Sequence, residues 1–159
     1  MGKRSVKENK TVYQQYREAQ ELTRDKASER MDFLSADRIE KIENERSLPH
    51  PDEILAMAKA YQAPELSNYY CSNACPIGRK YVPELKPKEL STIVLELLAS
   101  ITSLGNEKNR LVEITVDGEI SEDEQEDFAR IREELQKLTA CSSALSFWLE
   151  KQELAKNKN

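Results

Sequence analysis

Hydrophobic residues in the second half of the chain recur at intervals of three and four. In residues 88–116 these positions are Leu90, Ile93, Val94, Leu97, Leu98, Ile101 and Leu104. In residues 122–154 they are Phe128, Ile131, Leu135, Leu138, Leu145 and Trp148, close to a heptad repeat. Each period predicts a long amphipathic helix. Asp117-Gly118 is a turn signal between the two helices, so the pattern predicts an antiparallel helical hairpin.

The first third of the chain predicts four shorter helices. Residues 11–22 carry one apolar stripe, and Pro51 opens a later segment whose apolar positions are Ile54, Leu55, Ala58 and Tyr61. Between them, Thr23 and Ser35 are good N-caps for two short helices. The first of this pair places Ala27 and Met31 on one face, and the second places Ile39 and Ile42 there.

The remaining segments complete the predicted domain organisation. Residues 1–10 are basic and lack an apolar period, which predicts a flexible arm. Residues 65–87 contain three prolines and three tyrosines, which predicts an ordered linker without long helices. We therefore expect an all-α protein with a small helical domain at 11–64, a linker at 65–87 and the hairpin at 88–154.

The spacing of certain residues in the first domain resembles that of a known family. These residues are Arg17, Thr23, Ala27 with Ser28, Ile39, Glu43 with Asn44, Pro49, and Leu55 with Ala58. Together they resemble the XRE (Cro/repressor-like) helix-turn-helix domain over residues 13–64 or so. Asp32 and Glu45 stand where that family usually has Gly, and Ala27-Ser28 stands where it usually has Leu-Ala.

The resemblance implies that the protein binds double-stranded DNA as a transcriptional regulator. It implies that Arg24, Ala36, Asp37 and Lys41 face the DNA, with Arg38 and Asn44 near phosphates. Lys41 can donate to guanine, Asp37 can accept from cytosine N4, and Ala36 offers a methyl contact. The predicted reading set is therefore sparse.

The distribution of charge limits the DNA affinity that we expect. The chain has a net charge of −5, divided as +3 for residues 1–10, −3 for 11–64, +1 for 65–87 and −6 for 88–159. Because neutralised phosphates provide most non-specific affinity, an acidic domain predicts weak, salt-sensitive DNA binding unless a dimer and the basic arm contribute. The alternative is a protein-binding module on the same fold, with the acidic hairpin as contact surface.

The hairpin also predicts a partner for itself. Two helices alone form a thin structure whose apolar stripes need a further cover. We expect a second copy to provide it, giving a homodimer through residues 88–154. The alternative is that the hairpin folds back onto its own N-terminal domain.

Two sets of residues are candidate metal ligands. Cys71 and Cys75 could hold zinc with Cys141 or His50, or form a redox pair, but no second close pair of ligands accompanies them. Residues 113–124 partly match a calcium loop through Asp117 and Glu124. Buried thiols and a capped turn explain these residues without a metal, so we expect neither metal nor cofactor.

Other features narrow the class of protein. The chain contains a single His and no phosphate-binding Gly loop, so we expect a protein that is not an enzyme. No stretch approaches the eighteen apolar residues of a membrane span, and no signal peptide opens the chain. These features predict a cytoplasmic protein.

Overall fold

The structure is a computed structural model that describes residues 9–156. Within that range the chain forms eight α-helices and no β-strand, which confirms the all-α prediction. The helices are α1 (Val12–Ala19), α2 (Arg24–Glu29), α3 (Ala36–Glu43), α4 (Pro51–Tyr61), α5 (Glu65–Asn73), α6 (Gly78–Tyr81), α7 (Leu90–Thr115) and α8 (Gln125–Lys156). Most of the arm predicted at residues 1–10 lies outside the described residues. No described helix is long and apolar enough to cross a membrane.

The chain divides into two compact units. The first runs through Glu84 and includes the chain from Glu150 onward, and the second spans Leu85–Leu149. Helices α5 and α6 belong to the first unit, in the segment where the sequence predicted a linker. These helices fit between the prolines, because α5 follows Pro64 and α6 lies between Pro76 and Pro83.

The predicted caps define where the helices of the first unit begin. The side-chain oxygens of Thr23 and Ser35 accept hydrogen bonds from the backbone N–H groups of Lys26 and Arg38, both at 3.2 Å. Pro51 is the first residue of α4, where its missing N–H costs no helical hydrogen bond. The starts of α2, α3 and α4 are therefore as predicted.

Three helices of this unit end on a left-handed residue that is not glycine. Glu21, Glu45 and Gln62 have φ angles of 55°, 57° and 53°, after α1, α3 and α4. A left-handed conformation turns the chain sharply out of the helix, but it costs about 1 kcal/mol for a residue with a Cβ atom. Each of these three helix ends therefore costs the folded state a small amount of free energy.

The core of the first unit is continuous from α1 to α5. Its buried apolar residues are Tyr13, Leu22, Ala27, Met31, Leu34, Ile39, Ile42, Ile54, Met57, Ala58, Ala60, Tyr61, Ala63 and Leu66. One residue of the predicted face of α4 is misplaced: Leu55 is 64% exposed, and Met57 is fully buried instead. Ile54, Met57 and Tyr61 share one helix face, and Leu55 points away from it.

Helix α6 is held closely against α5. A Cβ atom at Gly78 would collide with the backbone oxygen of Cys71, so only glycine allows this approach. The side-chain amide of Asn68 donates to the backbone oxygen of Pro83 at 2.9 Å. The tyrosine density of this segment also has a packing role, because Tyr69 stacks edge-on against Tyr13 at 6.0 Å.

The second unit contains the predicted antiparallel hairpin except for the end of α8, which from Glu150 belongs to the first unit. Helix α7 has 26 residues and continues through Gly105. Arg110 Nε lies 2.7 Å from Asp127 Oδ2, and Arg130 Nε lies 3.2 Å from Glu107 Oε1. A step back along α7 is thus matched by a step forward along α8, which is the register of an antiparallel pair.

The turn between the two helices is stabilised locally. Both the backbone N–H and the hydroxyl of Ser121 donate to Glu124 Oε2, at 3.1 and 2.6 Å. Asp117 Oδ1 accepts from the backbone N–H of Glu119 at 3.1 Å, and Gly118 has a φ of 78°. Helix α8 begins after this turn at Gln125, three residues later than the sequence predicted.

Candidate nucleic-acid interface

The corner between α2 and α3 is fixed by buried residues on both sides. Ala27 and Ile39 are fully buried, and Leu34 anchors the turn between them. The hydroxyl of Ser28 donates to the backbone oxygen of Leu34 at 2.8 Å. Asp32 stands where the resembled family usually has Gly, and among described residues it is not one of those with positive φ. The corner therefore forms without glycine.

A buried ion pair joins α1 to α3. Arg17 Nε and Nη2 donate to the two oxygens of Glu43 at 2.6 and 2.9 Å, and Arg17 Nη1 donates to the backbone oxygen of Leu22 at 2.6 Å. The side chains of Arg17 and Glu43 are 7% and 0% exposed. Burial opposes the charge of Arg17, but its hydrogen bonds to Glu43 and the negative charge of that carboxylate together outweigh burial and raise the pKa of Arg17.

Arg24 completes this cluster from the start of α2. Its Nε donates to Glu43 Oε2 at 2.9 Å. The carboxylate of Glu43 therefore connects the first three helices. An ionised pair inside a protein is stable only with such geometry, because both charges lose their water. The cluster sets how α3 lies in the unit.

A second arginine ties α3 to the start of α4. Arg38 Nε and Nη2 donate to the two oxygens of Glu53 at 2.6 and 2.7 Å. The same guanidinium donates to Ser47 Oγ at 2.5 Å and to the backbone oxygen of Leu48 at 3.0 Å. The hydrogen bond from Arg38 lowers the pKa of Glu53 below its usual value. Both ends of the loop after α3 are thereby fixed.

We call the two ion-pair clusters, Arg17–Arg24–Glu43 and Arg38–Glu53, the clamps. Of the six residues that the resemblance assigns to DNA, some belong to the clamps and others face solvent. Asp37 and Lys41 are exposed, four residues apart on α3, and Ala36 is half-buried in its first turn. Arg38 uses four of its five N–H groups inside the protein, and Arg24 is bonded to Glu43. The structure therefore presents Asp37 and Lys41 outward and uses both arginines to hold the fold.

The remaining residue of the six, Asn44, is the C-cap of α3. Its side-chain amide donates to Glu40 Oε1 at 3.3 Å. The next residue is Glu45, in the left-handed conformation. Asn44 therefore lies where the chain leaves the helix.

Three exposed cations near these helices were missed by the sequence reasoning. They are Lys26 and Arg30 in and after α2, and Arg46 after α3. Ala27 in α2 and Met31 two residues after its end are buried, so the residues just before them share a different and solvated flank. The period that predicted the helix therefore also predicts the exposure of Lys26 and Arg30.

The surface around α3 carries both signs of charge. Residues 24–46 contain six basic and seven acidic residues. Since Arg24 and Arg38 are committed to Glu43 and Glu53, four cations remain in this segment for a phosphate backbone. A surface with so few free cations would attract a phosphate backbone weakly.

The corner also presents apolar side chains to solvent. Phe33 and Leu48 are exposed, on the two sides of α3 in sequence. Phe33 lines an open cavity of about 410 Å³ together with Met31, Ala56 and Lys59, among others. Single exposed apolar side chains are common on protein surfaces, but an exposed aromatic ring beside a cavity is a candidate contact for a protein partner.

The candidate metal ligands are not assembled into a site. No group of three or more His, Cys, Asp or Glu side chains within residues 9–156 could hold a metal ion. Cys71 and Cys75 are half-buried free thiols, and the backbone N–H of Gly78 donates to the sulfur of Cys75 at 3.4 Å. Asp117 and Glu124 each accept the local hydrogen bonds of the hairpin turn.

Comparison with known families agrees with this geometry. A family model described as a helix-turn-helix domain matches residues 14–66, which include α2, the corner and α3. No curated protein and no solved structure matches the chain. The first unit therefore contains a helix-turn-helix domain, and a long helical segment follows it.

Proposed function

We propose that the protein is a sequence-specific DNA-binding transcriptional regulator of the XRE type, acting as a dimer through residues 88–154. The observation that carries this proposal is the clamping of α3. Arg17 and Arg24 hold it through Glu43, and Glu53 holds it through Arg38, while Asp37 and Lys41 remain exposed. We also propose that the protein is cytoplasmic and is not an enzyme.

Rigid placement of α3 lowers the cost of reading a groove. A recognition helix that is already fixed loses little conformational freedom when it enters the major groove. From that position Lys41 donates to the oxygen and N7 of guanine, and Asp37 accepts from the amino group of cytosine. Ala36 packs against a thymine methyl group.

Phosphate contacts come from outside the reading helix. Lys26, Arg30 and Arg46 are exposed cations, and residues 1–10 add Lys3, Arg4 and Lys7, while Lys10 is paired with Glu18. Because each copy has few free cations, two copies on neighbouring half-sites are needed for useful affinity. Binding should weaken steeply as salt increases.

The direct test is a DNA titration across a salt series. The intact chain is compared with Lys41→Ala, with a form that lacks residues 1–10, and with the control Lys137→Ala on the hairpin. We expect about tenfold or greater loss of affinity for Lys41→Ala on a selected site, a shallower salt dependence without the arm, and no change for the control. No binding by the intact chain at low salt would contradict the proposal.

A second function is favoured by the exposed apolar residues. A protein-binding module would use Phe33 and the cavity beside it, with little affinity for DNA. Phe33→Ser separates the two functions. A DNA-reading protein keeps most of its affinity in this variant, whereas a partner that binds at the cavity is lost.

A further inference from the structure

The part of the hairpin farthest from its turn carries almost no charge. Residues 90–106 of α7 contain one charged residue, Glu96, and residues 138–149 of α8 contain none. The ion pairs set residue 107 beside 130 and residue 110 beside 127, and this antiparallel register places 138–149 of α8 beside the first part of 90–106. We call them the uncharged band. A water-exposed helix normally carries charged residues on its outer side, so the band has the composition of a buried element.

Helix α7 leaves apolar side chains exposed within this band. Val94 and Ile101 are 37% and 50% exposed. They are seven residues, about two helical turns, apart and therefore share one stripe. Ile101 is nine residues, about two and a half turns, from Arg110, so the stripe lies opposite the ion pair that Arg110 makes with Asp127.

Helix α8 leaves one apolar residue exposed on the same side, three residues before its part of the band. Leu135 is 41% exposed and lies five residues, about 140° around the helix, from Arg130. Arg130 makes the other ion pair between the helices. The ion pairs thus line one flank of the hairpin, and Val94, Ile101 and Leu135 lie on the other, which we call the apolar flank.

Gly105 is a second sign that another helix packs here. It lies within α7, four residues after Ile101, and no atom is within 4 Å of the place where its Cβ atom would be. Glycine is among the least favourable residues in an exposed helix. Nothing in the hairpin requires glycine at this position, whereas a helix approaching from outside could pack closely only against a residue without a side chain.

We propose that the apolar flank binds the same flank of a second copy of this chain, so that two hairpins form a four-helix bundle. The inference rests on the proposed function, in which two copies act on one DNA site. A self-complementary surface with two-fold symmetry matches an uncharged band to another uncharged band of the same length. A charged partner would lose its water without gaining an ion pair.

Charge also sets the direction of the second copy. Residues 107–137, at the turn end, contain eleven acidic and five basic residues, a net charge of −6. A parallel arrangement would place two such ends together. An antiparallel arrangement separates the turn-end residues of the two α7 helices by about the band length on α7, about 25 Å, which is roughly three screening lengths at physiological salt. The two hairpins therefore run antiparallel, band against band.

Sedimentation equilibrium of the intact chain without DNA tests the proposal. We expect a species of twice the chain mass of 18.3 kDa at micromolar concentration. Ile101→Glu places a charge on the apolar flank and should weaken dimerisation at least about a hundredfold, with helix content unchanged by circular dichroism. The matched control is Leu95→Glu, because Leu95 is 68% exposed in the same band but lies about 120° from Ile101 around α7. This control should remain a dimer.

Gly105→Ala provides a test that does not depend on introducing a charge. The substitution favours the helix, so thermal stability of the separated chain should rise. The added methyl group would still weaken dimerisation, by about tenfold, because it separates the packed helices. A variant that is more stable but equally dimeric would contradict close packing at Gly105.

Several outcomes would overturn the inference. A monomeric intact chain, or equal disruption by Leu95→Glu, would show that the apolar flank does not bind a second copy. Strong tightening of the dimer with added salt would indicate the parallel arrangement. Because no DNA is present, these results are independent of DNA binding. A dimer that binds no DNA would contradict only the proposed function.

Discussion

Both units contain arginine–carboxylate pairs, but the surroundings of the pairs differ. Arg17 and Glu43 are enclosed in the first unit, whereas the side chains of Arg110 and Asp127 in the hairpin are 36% and 30% exposed. A buried pair cannot exchange its partner for water, so it fixes geometry. An exposed pair exchanges readily and contributes little. Arginine–carboxylate pairs therefore fix the position of α3 in the first unit, whereas those of the hairpin lie at the surface and contribute little to stability.

Apolar residues show the same difference. The first unit encloses Ile39 and Met57 completely, while the hairpin leaves Ile101 half exposed. A helix-turn-helix unit with a closed core can hold a reading surface by itself. A two-helix layer has too little interior to do so. This difference is why we propose that the first unit contacts DNA and that the hairpin forms the dimer.

The largest expected effect is the loss of the buried carboxylate. Glu43→Ala leaves the buried Arg17 charge unpaired, which should lower the free energy of unfolding by about 3–5 kcal/mol. Urea denaturation followed by circular dichroism measures this change. In the hairpin, Asp127→Ala should leave the unfolding midpoint unchanged within error. Equal effects from the two variants would remove the distinction between the two kinds of pair.

The next largest effect is expected from shortening apolar side chains, which should destabilise the first unit more than the hairpin. Met57→Ala removes a fully buried side chain from α4 and should cost about 2–4 kcal/mol. Leu95→Ala removes an exposed leucine from α7 and should cost less than about 0.5 kcal/mol. The same denaturation experiment compares them. A large cost at Leu95 would show that this side of the hairpin is covered.

Acid should weaken the first unit through Glu53. Because the pKa of Glu53 is lowered in the folded state, the stabilisation is present above the usual carboxyl value of 4.5 and is lost as the pH falls through the lower folded value. Thermal unfolding between pH 6 and pH 3 measures this loss. Glu53→Gln should be less stable at pH 6 and should show a smaller decrease with acid. An identical acid profile for both proteins would contradict the role of the Arg38–Glu53 clamp.

The smallest effect is expected at a helix end. Glu45→Gly relieves the left-handed backbone after α3 and should raise the free energy of unfolding by about 0.5–1 kcal/mol. Glu45→Ala is the matched control, because alanine keeps the Cβ atom and removes the rest of the side chain with its charge. It should give little or no gain. Equal gains would attribute the effect to charge instead of backbone conformation.

Local sequence signals were sufficient for much of the fold. The caps Thr23 and Ser35, Pro51 at the start of α4, and the period of three and four in α7 are all local signals, and each predicted its element. The helices α5 and α6 were not predicted, because Gly78 and Asn68 stabilise them through contacts across the segment. Such contacts have no period in the sequence.

The candidate site was predictable only in part. The exposure of Asp37 and Lys41 follows from the buried positions Ile39 and Ile42 on the same helix. The use of Arg38 does not, because its partner Glu53 is fifteen residues away and the loop between them must fold first. A basic residue near a recognition helix can therefore stabilise the fold instead of contacting DNA.

The most direct test of the central claim is a measurement of specificity. Random duplexes are selected on the intact chain, and affinities for the selected duplex and a scrambled one are compared at physiological salt. A fixed reading helix predicts a preference of about a thousandfold or more, and the proposed dimer predicts that the selected site is symmetric. Equal affinities for the two duplexes would contradict sequence-specific reading by α3.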